Sequence, residues 1–216
     1  ANVTLGQLRY FKDRNVQLCY QVDGLCTDSP LILGYLSPTA VTSPIASSAT
    51  VHLNSIWSTQ ASWVWDTATR ATNNTAINFE YQPELNHILR LGYSYLVSGN
   101  VLDGANRPGI NTPLHQATVG GAWPLNPHWS LMGIYSYNVS EQYDMISFLG
   151  AQYDSCCWAF RLLGGRVFDS LSPNTIKPHY NNNAYVQIVL KGLGSAGNSD
   201  SSSIIQSYLP GYVNPF

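Results

Sequence analysis

Two adjacent cysteines, Cys156 and Cys157, are the side chains of this sequence best suited to chemistry. Thiolates form disulfides or bind metal. The pair lies in Tyr153-Asp154-Ser155-Cys156-Cys157-Trp158-Ala159-Phe160-Arg161, at a tight turn between two runs of alternating polarity, with an aromatic on each side. Neighbouring residues of a strand point to opposite faces, which suits neither one local disulfide nor one tetrahedral metal site. Bridges to other segments are the expectation. An inert reduced pair and a strained vicinal disulfide are the alternatives, both uncommon in an oxidising compartment. Cys19 and Cys26, seven apart in a loop containing Pro, Ser and Asp, have a spacing that permits a small disulfide-closed loop.

Other chemistries find less support. The histidines His52, His87, His115, His128 and His179 share no common spacing, so no metal centre is expected. A hydrolase needs Ser, His and an acid to converge, and no nucleophile-elbow glycine motif is present. The expectation is therefore a protein without catalysis and without a cofactor.

Composition sets the compartment. Of 216 residues only 10% are charged and 12% are aromatic, with 14 tyrosines; soluble domains carry about 25% charged residues. A net charge of −2 with scattered Lys and Arg leaves no basic stripe for nucleic acid. No apolar run approaches the length of a transmembrane helix. The chain starts at Ala1 without a visible signal peptide, which reads as a mature or excised piece, and the cysteines with low charge point to an oxidising compartment.

Period-2 alternation places about ten strands: Asn2 to Phe11, Ser48 to Trp57, Gln60 to Ala68, Thr75 to Tyr81, His87 to Val97, Gln116 to Trp123, Trp129 to Val139, Gln142 to Tyr153, Cys156 to Phe168 and Ala184 to Leu193. Connections after the second, fourth, sixth and eighth are short, the first of them read as a Ser58-Thr59 turn. Those after the first, fifth and ninth are long. Short turns at one end and long loops at the other describe a meander through a membrane. Trp57 and Trp63, Trp123 and Trp129, Tyr153 and Trp158 flank three short turns, a periplasmic aromatic girdle. Arg90 and Arg161 fall on the polar side of their strands, as a lipid-facing barrel wall requires. The fold class is all-β, with antiparallel up-and-down transmembrane β-barrel strands. A soluble sandwich or lectin-like module is the bland alternative, and a small self-contained outer-membrane pore or enzyme barrel is the other.

The run from Gln116 to Phe168, with TVGGAWPLNPHWSLMGIYSYN and YDSCCWAFRLLGGRVF, resembles the C-terminal barrel of the LPS-assembly protein LptD family, also called organic solvent tolerance protein. Gly6-Gln7 to Tyr10-Phe11, Trp63 to Tyr95 and Ala184 to Gly194 with its KGLG ending resemble successive strands of that family, so the likeness covers essentially the whole chain. The YDSCCWA turn is its most specific part.

That resemblance implies a large barrel of about 26 strands in the bacterial outer membrane. Lipopolysaccharide arrives through an LptA-type periplasmic bridge and leaves into the outer leaflet through a lateral gate. The lipoprotein LptE plugs the lumen, and the barrel assembly machinery inserts the protein. Cys156 and Cys157 then form disulfides to the N-terminal region. Ala184, Val186, Ile188, Leu190, Lys191, Gly192 and Gly194 belong to the last strand at the gate, which the glycines weaken. Residues 1–194 would be the barrel segment and 195–216 a C-terminal periplasmic tail.

Overall fold

The computed structural model describes residues 1–13, 20–22, 25–27, 40–68, 70–97, 113–171, 177–197 and 205–213. Alternating residues give the strands β1 (Asn2–Gly6), β2 (Tyr20–Val22), β3 (Leu25–Thr27), β4 (Ile45–His52), β5 (Trp57–Asp66), β6 (Ala71–Tyr81), β7 (Ile88–Leu96), β8 (Leu114–Pro124), β9 (Trp129–Asn138), β10 (Tyr143–Asp154), β11 (Trp158–Leu171), β12 (Pro178–Leu190) and β13 (Gly194–Gly197). Eleven of them form one antiparallel sheet in which β1 and then β4 to β13 lie beside their neighbours in sequence; β2 and β3 form a separate hairpin. The expected all-β, up-and-down architecture is the one observed.

Asparagine side chains fix three turns in the same way. Asn54 Oδ1 accepts from the amides of Ile56 and Trp57 at 2.8 and 2.7 Å, Asn126 Oδ1 from His128 and Trp129 at 2.9 and 2.8 Å, and Asn138 Oδ1 from Ser140 and Glu141 at 3.0 and 3.1 Å. Each copies a backbone turn with a side-chain acceptor. The Asn54 turn corrects one sequence expectation: the chain reverses at residues 53–56, so Ser58 and Thr59 lie inside β5. Asn54 captures two amides there, which the hydroxyls of Ser58-Thr59 do not.

Strand ends differ elsewhere. The cysteines precede β11 rather than opening it, and β11 and β12 extend toward each other until only residues 172–177 separate them. Pairing with Val167, Arg166 and Gly165 draws the polar run Asn181-Asn182-Asn183 into β12, although that run lacks alternation. At its far end β12 stops at Leu190 rather than Leu193. Gly192 takes φ 88°, a left-handed turn conformation that suits glycine, and β13 folds back onto Gln187–Leu190.

The two faces differ in chemistry. Leu89, Leu91, Val119, Leu131, Leu149, Leu162, Val186 and Ile188 stand exposed on the outward face. Ile88, Ala122, Met132, Phe148 and Leu163 on the inward face are buried, and the partners that bury them are Ile205, Leu209 and Tyr212 of the C-terminal segment. Within that segment residues 205–208 are helical, and the 205, 209, 212 spacing presents one apolar stripe. Gly120 makes room for it: a Cβ there would stand 3.2 Å from Leu209 Cδ2.

Candidate functional site: the outward face, the cysteine turn and the open edge

On the outward face the register aligns aromatic rings at the end with the short turns. Trp57 packs on Tyr81 at 4.6 Å between ring centroids, Tyr81 on Trp123 at 6.5 Å, Trp129 on Tyr153 at 5.1 Å and Tyr153 on Trp158 at 4.9 Å. Of the residues expected there, Trp57, Trp123, Trp129, Tyr153 and Trp158 are brought together. Trp63 is not. It pairs with Ser47 and Thr75 and stacks on Trp65 at the other end of β5, because the Asn54 turn starts that strand at Trp57. Tyr81 belongs to the belt and was missed; its place before the Pro83 turn was the available signal.

A second belt lies at the opposite end. Trp63, Tyr93, Tyr135 and Tyr137 belong to it, with Tyr135 stacked on Tyr137 at 6.4 Å. From Trp129 to Tyr137 along β9 is about 27 Å at a rise of ~3.4 Å per residue, before allowance for strand tilt. Lipid-facing bands of membrane barrels are about 25 Å tall between such girdles.

Polar groups on the inward face satisfy one another. Arg161 is fully buried. It donates Nε and Nη2 to Gln152 Oε1 at 3.0 and 2.6 Å and Nη1 to Gln187 Oε1 at 3.4 Å, and the Tyr212 hydroxyl donates to the same Gln152 oxygen at 3.1 Å. Burial pushes the Tyr212 hydroxyl above the usual tyrosine range, so it stays protonated and able to donate. Of the residues 195–216, expected as a tail, 195–197 belong to β13 and Ile205, Leu209 and Tyr212 pack on the sheet. The spacing of Ile205, Leu209 and Tyr212 was the signal for that seating.

Both cysteines are exposed and free in the turn, their sulfurs 2.9 Å apart. Because they lie outside the strand, the expectation that they face opposite ways is corrected. Lys191 braces the turn by donating to the Ser155 carbonyl at 2.6 Å and pairing with Asp154 at 2.5 Å. A hydrogen bond from Cys157, with help from Ser155 and the Lys191 charge, holds the Cys156 thiol below its ordinary range, and the same contact pushes Cys157 up. Cys19 lies outside the described residues, as do the side-chain contacts of Cys26, whose backbone belongs to β3.

Of the residues expected at a gate, Ala184, Val186, Ile188 and Leu190 are on β12, all facing outward. Lys191 and Gly192 form the turn, and Gly194 opens β13 opposite Leu190. Among the described residues, the part of β12 from 178 to 186 pairs with β11 alone.

An up-and-down antiparallel sheet with one apolar exposed face, two aromatic belts and a buried polar network on the other face defines a section of a transmembrane β-barrel wall. Comparison with known proteins is specific. The family described as LptD, LPS transport system D, matches residues 1–129, and the chain belongs to that family. It is 53% identical over 216 residues to the LPS-assembly protein LptD of Legionella pneumophila strain Philadelphia 1, covering all of this chain and 26% of that protein. Identity to the LptD of Pseudomonas aeruginosa strain UCBPP-PA14 is 29% over 225 residues, 98% of this chain and 24% of the relative. For Shewanella sp. strain ANA-3 it is 28% over 235 residues, 99% and 29%. The chain spans about a quarter of the length of these relatives.

Proposed function

We propose that this chain is part of the wall of an outer-membrane barrel that assembles lipopolysaccharide into the outer leaflet, and that its β12 borders the lateral gate. The exposed apolar row of β12, in a chain that belongs to the LPS transport family, carries this reading. Outward Ala184, Val186, Ile188 and Leu190 offer acyl chains an apolar border. The relatives' shared name, LPS-assembly protein, supports the substrate.

Cys156 and Cys157, exposed beside the belt of the short-turn end, act as the attachment points for disulfides to the N-terminal region of the whole protein. That end faces the periplasm, where an LptA-type bridge delivers the lipid; an LptE plug completes the lumen, and the barrel assembly machinery inserts the wall. No catalytic step is required.

Depleting the full-length protein in its own cells and labelling lipopolysaccharide at the cell surface tests this. Surface label falls on depletion and returns with the wild-type gene. A Cys156→Ser, Cys157→Ser double variant inserts but restores little. Undiminished label after depletion would sink the transport reading, and full restoration by the double variant would sink the disulfide role.

A further inference from the structure

Between the two belts Gly121 of β8 pairs with Gly133 of β9 on the outward face, Leu149 of β10 follows, and Gly164 and Ala184 continue the row. Leu89 and Leu149 lean toward the two glycines, with Leu89 Cδ2 2.8 Å and Leu149 Cδ1 3.3 Å from where a Cβ would stand, and a groove of about 460 Å³ is lined by Gly121, Gly133 and these leucines. Leu89, Leu131, Leu149 and Trp123 wall it, and Tyr135 and Ser147 stand at its end. Its volume falls within the ~300–1,000 Å³ range of small-molecule sites.

One row further from the short turns, Tyr135, Ser147 and Arg166 lie side by side on β9, β10 and β11. Arg166 is ion-paired with Asp144 and sits over the Tyr180 ring at 4.6 Å, while the Tyr135 hydroxyl donates to the other Asp144 oxygen at 2.6 Å. The carboxylate is enclosed by this arrangement and the guanidinium is not: their side chains are 18% and 46% exposed. The pair is neutral as a whole, and the guanidinium is its more exposed partner, on the strand next to Ser147 of the groove.

We infer that this groove and Arg166 form a binding site for one phosphorylated, acylated glycolipid, an acyl chain lying over Gly121 and Gly133 and a phosphate on the guanidinium. The planar fork of arginine matches phosphate oxygens, and the apolar groove matches a chain with no polar groups. Asp144 and Tyr180 hold the guanidinium in place before the ligand arrives, which reduces the ordering cost of binding. The choice of a glycolipid rests on the transport reading, which puts the end with the long connections in the outer leaflet. Arg166 then captures a lipid already released at the surface, on the same wall as the gate.

Native mass spectrometry of the full-length complex in detergent, with lipid A as the probe, tests the inference. Wild-type protein retains one lipid A. Arg166→Gln binds it about tenfold more weakly, the loss of one charge-assisted hydrogen bond. Gly133→Leu fills the groove and weakens binding to a similar degree. A Cβ at Gly133 meets only Leu149 Cδ1 at 3.3 Å and the Phe148 carbonyl at 3.5 Å, and Gly133→Ala supplies a milder variant. Dephosphorylated lipid A binds wild type as weakly as lipid A binds Arg166→Gln. Unchanged retention by both Arg166→Gln and Gly133→Leu overturns the site, and equal competition by phosphatidylglycerol overturns the glycolipid assignment. Neither outcome touches the transport reading, which stands or falls on surface label after depletion.

Discussion

Tyr212 donates its hydroxyl to Gln152 Oε1 at 3.1 Å, and that one oxygen also receives Nε and Nη2 of the buried Arg161. A residue near the end of the chain thereby completes the polar network inside the sheet. The C-terminal segment is thus part of the folded wall, and its removal exposes both the network and the apolar patch around Ile88 and Leu163.

Leu209→Ala should destabilise the protein by about 2–5 kcal/mol, the usual cost of a large-to-small change in a packed core. Urea unfolding in detergent measures it. Gly120→Val, which drives a side chain toward Leu209 Cδ2, should release the segment and make it a target for limited proteolysis.

Asn86 and Val213 exchange two hydrogen bonds, Nδ2 to the Val213 carbonyl at 3.2 Å and the Val213 amide to Oδ1 at 2.8 Å. Asn86 has φ 62°, so Asn86→Gly keeps the left-handed backbone and removes only these bonds. Faster limited proteolysis of the segment with an unchanged midpoint for the sheet is the expected outcome. Cleavage at the wild-type rate would mean the bonds contribute nothing to holding the segment.

In reduced protein, Cys156 should alkylate before Cys157. Its pKa is lowered, so its reactive thiolate is populated at a lower pH than that of an ordinary cysteine, whereas the Cys157 thiolate forms only at higher pH. Peptide mass spectrometry after iodoacetamide between about pH 6 and 9 gives the two profiles around the ordinary thiol value of ~8.5. Cys157→Ala removes the hydrogen bond that contributes most and should move the Cys156 profile upward.

Leu149→Arg places a charge on the outward face between the belts and should cost about 2–4 kcal/mol of folding stability in lipid vesicles. The same substitution should cost far less in a protein whose outward face met water. Refolding yield into vesicles, read by heat-modifiable gel mobility, separates the cases.

Gly192→Ala should loosen the β12–β13 turn by about 1–2 kcal/mol, because φ 88° is costly for a residue with a Cβ. Amide exchange at Gln187 to Leu190 should quicken while β11 stays protected. The sequence expectation of a glycine-weakened strand is thereby replaced by a glycine-dependent turn.

Strand existence and facing were legible because alternation such as Leu89, Leu91, Tyr93 against Arg90, Gly92, Ser94 is a local property with period two. The YDSCCWA turn carried the family likeness, since its residue types are unusual in any other setting. Trp63 was misplaced because a turn is chosen by which side chain captures which amides, and Asn54 outcompetes Ser58-Thr59. No pattern marked Asn181-Asn182-Asn183 as strand; only pairing with β11 makes it one.

By itself, then, the sequence determined an all-β meander with an apolar outward face, an aromatic belt and two thiols at a turn, all features of short range. Tertiary structure alone decided that Tyr212 reaches Gln152, that Gly121 meets Gly133 beside a groove, and that Arg166 meets Asp144. Each depends on strand register and on contacts between residues far apart in the chain. A register shift of one residue would turn the strand residues among them to the other face.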